Sequence, residues 1–179
     1  MKVVTTLLTI ALLVFCIVGG SALGKDAQRI FVGQKAPGFT LPVHSGGEIS
    51  LSDYLGQKSI VLVFYPLAFT PVCMDELLQF SEDYAEFQQR QAEILAISND
   101  HVRTIREFAK TVKAPYPLLS DRDNIVLRAY DVYLEGEDVA QRSLFVVDKE
   151  GVVRFKHVYL TEPADLIPNA KLLEILDGL

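Results

Sequence analysis

Cys73 is the residue whose type and setting point most directly to covalent chemistry. It follows Thr70 and Pro71, a hydroxyl residue suited to a helix N-cap and a proline suited to the first helical position. That spacing puts Cys73 at the third helical position, where backbone N–H groups lack intrahelical partners and carry partial positive charge. Such a place favours a thiolate, the nucleophilic form of cysteine. Asp75 and Glu76 follow closely and oppose this, so a cation from elsewhere in the fold would help. Lone cysteines are usually inert packing; a capped helix start directly after an apolar strand argues otherwise here. Ionisation alone is a weak lever, however. Converting an ordinary thiol fully to thiolate at neutral pH gains about 30-fold, and the accompanying loss of basicity returns about tenfold. Donors fixed around a reacting bond are worth more, about 3 kcal/mol each.

The elements that must position this cysteine read as alternating strands and helices. Residues 59–65 (SIVLVFY) form a continuous apolar, β-rich run, the pattern of a central strand covered on both faces. After Cys73, the residues Leu77, Phe80, Tyr84 and Phe87 recur at steps of three and four, predicting one amphipathic helix. Short strands are expected at 39–41 and 49–51, separated by Ser45, Gly46 and Gly47. Further strands are expected at 94–98 and 116–119, with a helix at 102–112 between them. Asp123 is a plausible N-cap for a helix through Tyr130. Residues 143–147 and 152–157 predict a hairpin across Asp148-Lys149-Glu150-Gly151, and a last helix is expected at 168–176. The pattern predicts an α/β fold, a central mixed β-sheet flanked by helices on both faces.

Pro66, Thr70 and Cys73, spaced Pro-x-x-x-Thr-x-x-Cys, match the peroxiredoxin active-site motif. The likeness extends over nearly all of residues 30–179. Gln34-Lys35-Ala36-Pro37-Gly38-Phe39 resembles the opening of the alkyl hydroperoxide reductase C/thiol-specific antioxidant group. PLAFTPVC, Glu76, AISND at 96–100, PLLSD at 117–121 and RSLFVVDKEGVVRF at 142–155 look most like the one-cysteine, AhpE-like branch. The resemblance implies a thioredoxin-like fold and a thiol-dependent peroxidase acting on hydrogen peroxide and organic hydroperoxides. It makes Cys73 the peroxidatic cysteine, which is oxidised to sulfenic acid. Thr70 would hold the peroxide and Pro66 would shield the sulfur. Arg142 would stabilise thiolate and developing oxyanion, and Glu76 would orient the arginine. By residue type alone, Arg142 would be a solvated strand end and Glu76 a surface charge near a helix start.

Position 78, five residues after Cys73, is Leu78, and no cysteine follows. The sulfenic acid would then be reduced by an external thiol, whether a thioredoxin-like protein, a glutaredoxin-like protein or a low-molecular-weight thiol. A homodimer is expected, with Tyr130, Tyr133 and Tyr159 as candidates for its surface or for core packing. An exported thioredoxin-like thiol-disulfide oxidoreductase is the alternative enzyme, but Cys73-Met74-Asp75-Glu76 supplies no Cys-x-x-Cys. A non-catalytic redox sensor switched by Cys73 is a third reading.

The chain has 179 residues, a net charge of −6 and half its residues hydrophobic. This size and composition fit one folded domain and exclude a disordered protein. The acidic balance, with a pI near 5.1, argues against nucleic acid as a partner. Two cysteines exclude a disulfide scaffold. His44, His101 and His157 lie on different elements without pairing, so no metal site is expected and no cofactor is implied. Residues 3–24 carry no charge, with the strongly apolar part at 3–18, short of the roughly 20 residues of a bare span. Gly19, Gly20, Ser21, Ala22, Leu23 and Gly24 then supply a small-residue cleavage region. Residues 1–24 are therefore expected to be a signal peptide, or else an uncleaved anchor through 3–24, preceding a domain at 25–179. Export to the periplasm or another extracytoplasmic space follows, and cleavage would remove Cys16.

Overall fold

The computed structural model describes residues 29–160 and 166–179; the expected export segment lies outside them. Elements follow in the order β1 (Thr40–Pro42), β2 (Glu48–Ser50), β3 (Ser59–Phe64), α1 (Pro71–Glu82), α2 (Tyr84–Gln89), β4 (Ala92–Ser98), α3 (Val102–Thr111), β5 (Leu118–Ser120), α4 (Ile125–Ala129), β6 (Tyr133–Leu134), β7 (Val139–Ala140), β8 (Ser143–Val147), β9 (Val153–Val158) and α5 (Asn169–Asp177). The main sheet has the order β5-β4-β3-β8-β9. β3 runs parallel to β4 and antiparallel to β8, so the sheet is mixed as the pattern predicts.

Every residue of β3 is buried, because its two alternating faces both meet core. Val61, Val63 and Tyr65 pack with Leu77, Phe80, Phe87, Phe108 and Leu172, from α1, α2, α3 and α5. Ile60, Leu62 and Phe64 pack on the other side with Leu41, Val126, Leu127 and Tyr130. A strand of period two thus serves two helical layers. Tyr130 sits fully in that second core and donates to the Pro37 carbonyl at 2.9 Å, so it is not available to line a dimer surface.

Local chemistry shifts several expected boundaries. The helix predicted across Leu77–Phe87 is two helices, broken at Asp83, whose carboxylate accepts from Asn169 Nδ2 at 2.9 Å. The apolar period runs through the break, so spacing alone did not reveal it. The strand expected from Tyr116 begins at Leu118, since Pro115 and Pro117 have no N–H to donate. Asp123 is not the cap of α4. Asn124 occupies that place with a left-handed φ of 58°, while the buried Asp121 carboxylate accepts from Ile125 N at 3.1 Å and Leu127 N at 2.7 Å. The short β6–β7 ribbon was not expected at all. At the β8–β9 turn Gly151 adopts φ 78°, a conformation that glycine takes without steric cost.

Candidate active site

Topology brings three separate stretches to one end of the sheet. Parallel β3 and β4 both end there, and antiparallel β8 begins there. Phe64 stands opposite Ser143, which sets Arg142 beside the chain leaving β3. The same end receives the β4 exit, because Tyr65 N donates to Ile97 O at 3.1 Å. Loop 65–70, residues 99–101 and Arg142 therefore converge although Arg142 is far from Cys73 in sequence.

Pro71 is the first residue of α1 and Cys73 the third, as the spacing predicts. Cys73 is fully buried. Arg142 Nη2 donates to its Sγ at 3.2 Å, and Arg142 Nη1 pairs with Glu76 Oε2. Arg142 is 2% exposed and Glu76 3%, so neither is the solvated surface charge that residue type alone suggests. A helix position three residues after Cys73 lies on the same face, which is why one guanidinium reaches both. Its planar fork suits two partners at once, and burial strengthens both attractions. Arg142 thus places a cation from a distant part of the chain beside the sulfur.

Thr70 and Pro66 stand in the loop entering α1, both half-buried. The expectation for Thr70 needs correction in one respect. It occupies the N-cap position with extended backbone, but its side chain makes no capping bond. Its hydroxyl instead donates to Leu67 O at 2.9 Å, which turns the oxygen into an acceptor-only group on its remaining side. Between them, Phe69 has φ 65°, a left-handed backbone that costs a bulky L-residue about 1–2 kcal/mol. The Phe69 ring leans on Phe108 at 5.1 Å, and Leu67 and Phe69 are each 47% exposed. The loop is held from outside by Asp100, whose Oδ2 accepts from Ala68 N at 2.8 Å. Sequence reasoning singled out AISND only as part of a resemblance and assigned Asp100 no role.

The histidines take structural positions. His101 caps α3 by accepting from Arg103 N at 3.1 Å. His44 Nδ1 accepts from Leu118 N at 3.1 Å, and burial lowers its pKa. His157 packs edge-on against Tyr159 at 4.4 Å. Tyr159 OH accepts from Ile167 N at 2.7 Å and so ties the approach to α5. Among the described residues no group of three or more His, Cys, Asp or Glu is arranged to hold a metal ion, and no helix is long and apolar enough to cross a membrane. A cavity of about 470 Å³ opens between β1 and α4, lined by Phe39, Leu41, Asp121 and Ile125 among others, and none of the five candidate residues lines it.

Cysteine, arginine and glutamate thus meet at one end of the sheet, buried and within contact of one another. Residues 32–156 match the model of the AhpC/TSA family, and the chain belongs to that family. It is 37% identical over 155 residues to the chloroplastic 2-Cys peroxiredoxin BAS1 of Spinacia oleracea, covering 75% of this chain and 58% of that protein. The chain thus spans less than two thirds of that relative's length. It is 40% identical over 126 residues to alkyl hydroperoxide reductase E of Mycobacterium tuberculosis, covering 69% of this chain and 82% of the relative. That identity is consistent with the AhpE-like branch read from the sequence. The structure of peroxidoxin BcpB from Mycobacterium tuberculosis superposes with a TM-score of 0.76 at 30% identity, covering 84% of this chain and 99% of that one.

Proposed function

We propose that this chain is a thiol-dependent peroxidase that uses one cysteine. The supporting observation is the buried Arg142, which donates to Cys73 Sγ while paired with Glu76. The Cys73 thiolate attacks one oxygen of a hydroperoxide. The O–O bond breaks, sulfur gains the oxygen as sulfenic acid, and the departing oxygen takes a proton to leave as water or an alcohol. Arg142, already beside the sulfur, meets the negative charge as it spreads across the breaking bond. Thr70, its hydroxyl hydrogen committed to Leu67 O, accepts the hydrogen of the peroxide and so orients it. Pro66 covers the sulfur against water.

An external thiol then attacks the sulfenic sulfur, releasing water and leaving a mixed disulfide, and a second thiol restores Cys73. Leu78 stands five residues on, no cysteine occurs in residues 74–179, and the proposed cleavage removes Cys16, which supports an external resolving thiol. Export directed by residues 1–24 belongs to the same proposal, as does a homodimer, for which exposed Leu67 and Phe69 offer an apolar surface. After peroxide and then glutathione, mass spectrometry of the chain from Lys25 onward should find a single glutathione adduct, on Cys73, that excess dithiothreitol removes. Oxidised protein that takes up no thiol would contradict the one-cysteine cycle.

A further inference from the structure

We infer that Asp100 is a positioning residue for the peroxide-binding loop, holding Thr70 and Pro66 over Cys73 through the Ala68 N–H. The inference rests on the reading of Thr70 and Pro66 as the residues that meet the peroxide. Loop 66–70 must keep Phe69 in a left-handed backbone conformation at φ 65°, which an L-side chain leaves when nothing restrains it. Within the loop Thr70 Oγ1 donates to Leu67 O at 2.9 Å, a bond that moves with the loop and fixes nothing to the sheet. Beyond Tyr65, whose N–H donates to Ile97 O where the loop begins, the Ala68 N–H anchors the middle of the loop to β4's exit. It donates to Asp100 Oδ2 at 2.8 Å, and a carboxylate makes a stronger acceptor than a neutral oxygen.

Asp100 is itself built to be immobile. Its Oδ2 also accepts from Ser98 Oγ at 3.0 Å, its N–H donates to Ser98 Oγ at 3.3 Å, and its carbonyl accepts from Ser120 Oγ at 2.6 Å. Ser98 and Ser120 are register partners at the ends of β4 and β5 and are both buried. The carboxylate therefore refers the loop to two strands of the sheet. Arg142 is referred to the same sheet through β8. The distance between the peroxide-orienting hydroxyl and the charge-stabilising guanidinium is thus set by the sheet, with Asp100 as the link on one side.

The test separates loop position from the thiolate itself. In Asp100→Ala, oxidation of Cys73 by hydrogen peroxide should slow at least tenfold. Alkylation of Cys73 by iodoacetamide should keep its rate and pH profile, because Arg142 and Glu76 are untouched. Asp100→Asn keeps an oxygen acceptor for Ala68 and should stay within about threefold of the parent with peroxide. In the unaltered protein the Ala68 amide should be protected from hydrogen exchange; an unprotected amide would overturn the inference without any variant. So would Asp100→Ala with full peroxide reactivity while Thr70→Val is slow, or equal losses with peroxide and iodoacetamide. Thr70→Val at full rate would remove the underlying reading, and this inference with it.

Discussion

Replacing Arg142 by methionine should slow the reaction of Cys73 with hydrogen peroxide at least tenfold, and by up to the roughly 10²–10³ that one preorganised donor is worth. The guanidinium is 2% exposed and already donates to Sγ at 3.2 Å, so it has no solvent shell to shed as charge develops. Arg142→Lys should be nearly as slow, since an ammonium lacks the planar fork that serves Cys73 and Glu76 together. Thr70→Val should also cost at least tenfold. Its effect on stability should be small, because the hydroxyl caps no helix N–H in this fold. The chain contains no tryptophan, so rapid acid quench with mass spectrometry of Cys73 is the appropriate readout. Unchanged second-order rate constants for the Arg142 variants would refute its assignment.

Removing Glu76 should have the largest effect on stability. Glu76 and Arg142 form an ion pair out of reach of water. Breaking such a pair from one side costs about 3–5 kcal/mol, whereas replacing both partners by apolar residues is often neutral. Glu76→Ala should therefore lower the melting temperature by roughly 6–12 °C at the low end of that cost, using about 2–4 °C per kcal/mol for a domain of this size. The double variant Glu76→Leu with Arg142→Met should recover most of the lost stability and yet remain slow with peroxide. Calorimetry of Glu76→Leu, Arg142→Met and their double variant decides this. A double variant as unstable as the sum of the singles would mean that the pair is not an energetic unit.

The legible part of the site is the part encoded locally. Thr70 and Pro71 announce the helix start, and counting places Cys73 at its third position, where it is found. The apolar run 59–65 likewise announces the central strand. Arg142 is different. Its meeting with Cys73 depends on β8 pairing antiparallel to β3 with Ser143 opposite Phe64, and no local pattern states a register between distant segments. Only the family resemblance supplied it. Glu76 was ambiguous for the same reason, since a carboxylate near the start of a helix has a sufficient surface explanation until a buried arginine is seen facing it. Asp100 escaped notice because its contact is with a backbone amide, which carries no side-chain signature. The misplaced cap at Asp123 has a similar cause. Asp121 reaches forward from a strand end to serve α4, while the nearer aspartate points to the simpler local rule.

Donors fixed around the oxidant should accelerate the reaction beyond what a thiolate alone provides. The direct measurement is the second-order rate constant of the fully reduced chain with hydrogen peroxide at pH 7, set beside free cysteine under the same conditions. A ratio of at least about a hundred is expected from one or more preorganised donors. A ratio within a few-fold, which is all that ionisation of the thiol provides, would contradict it.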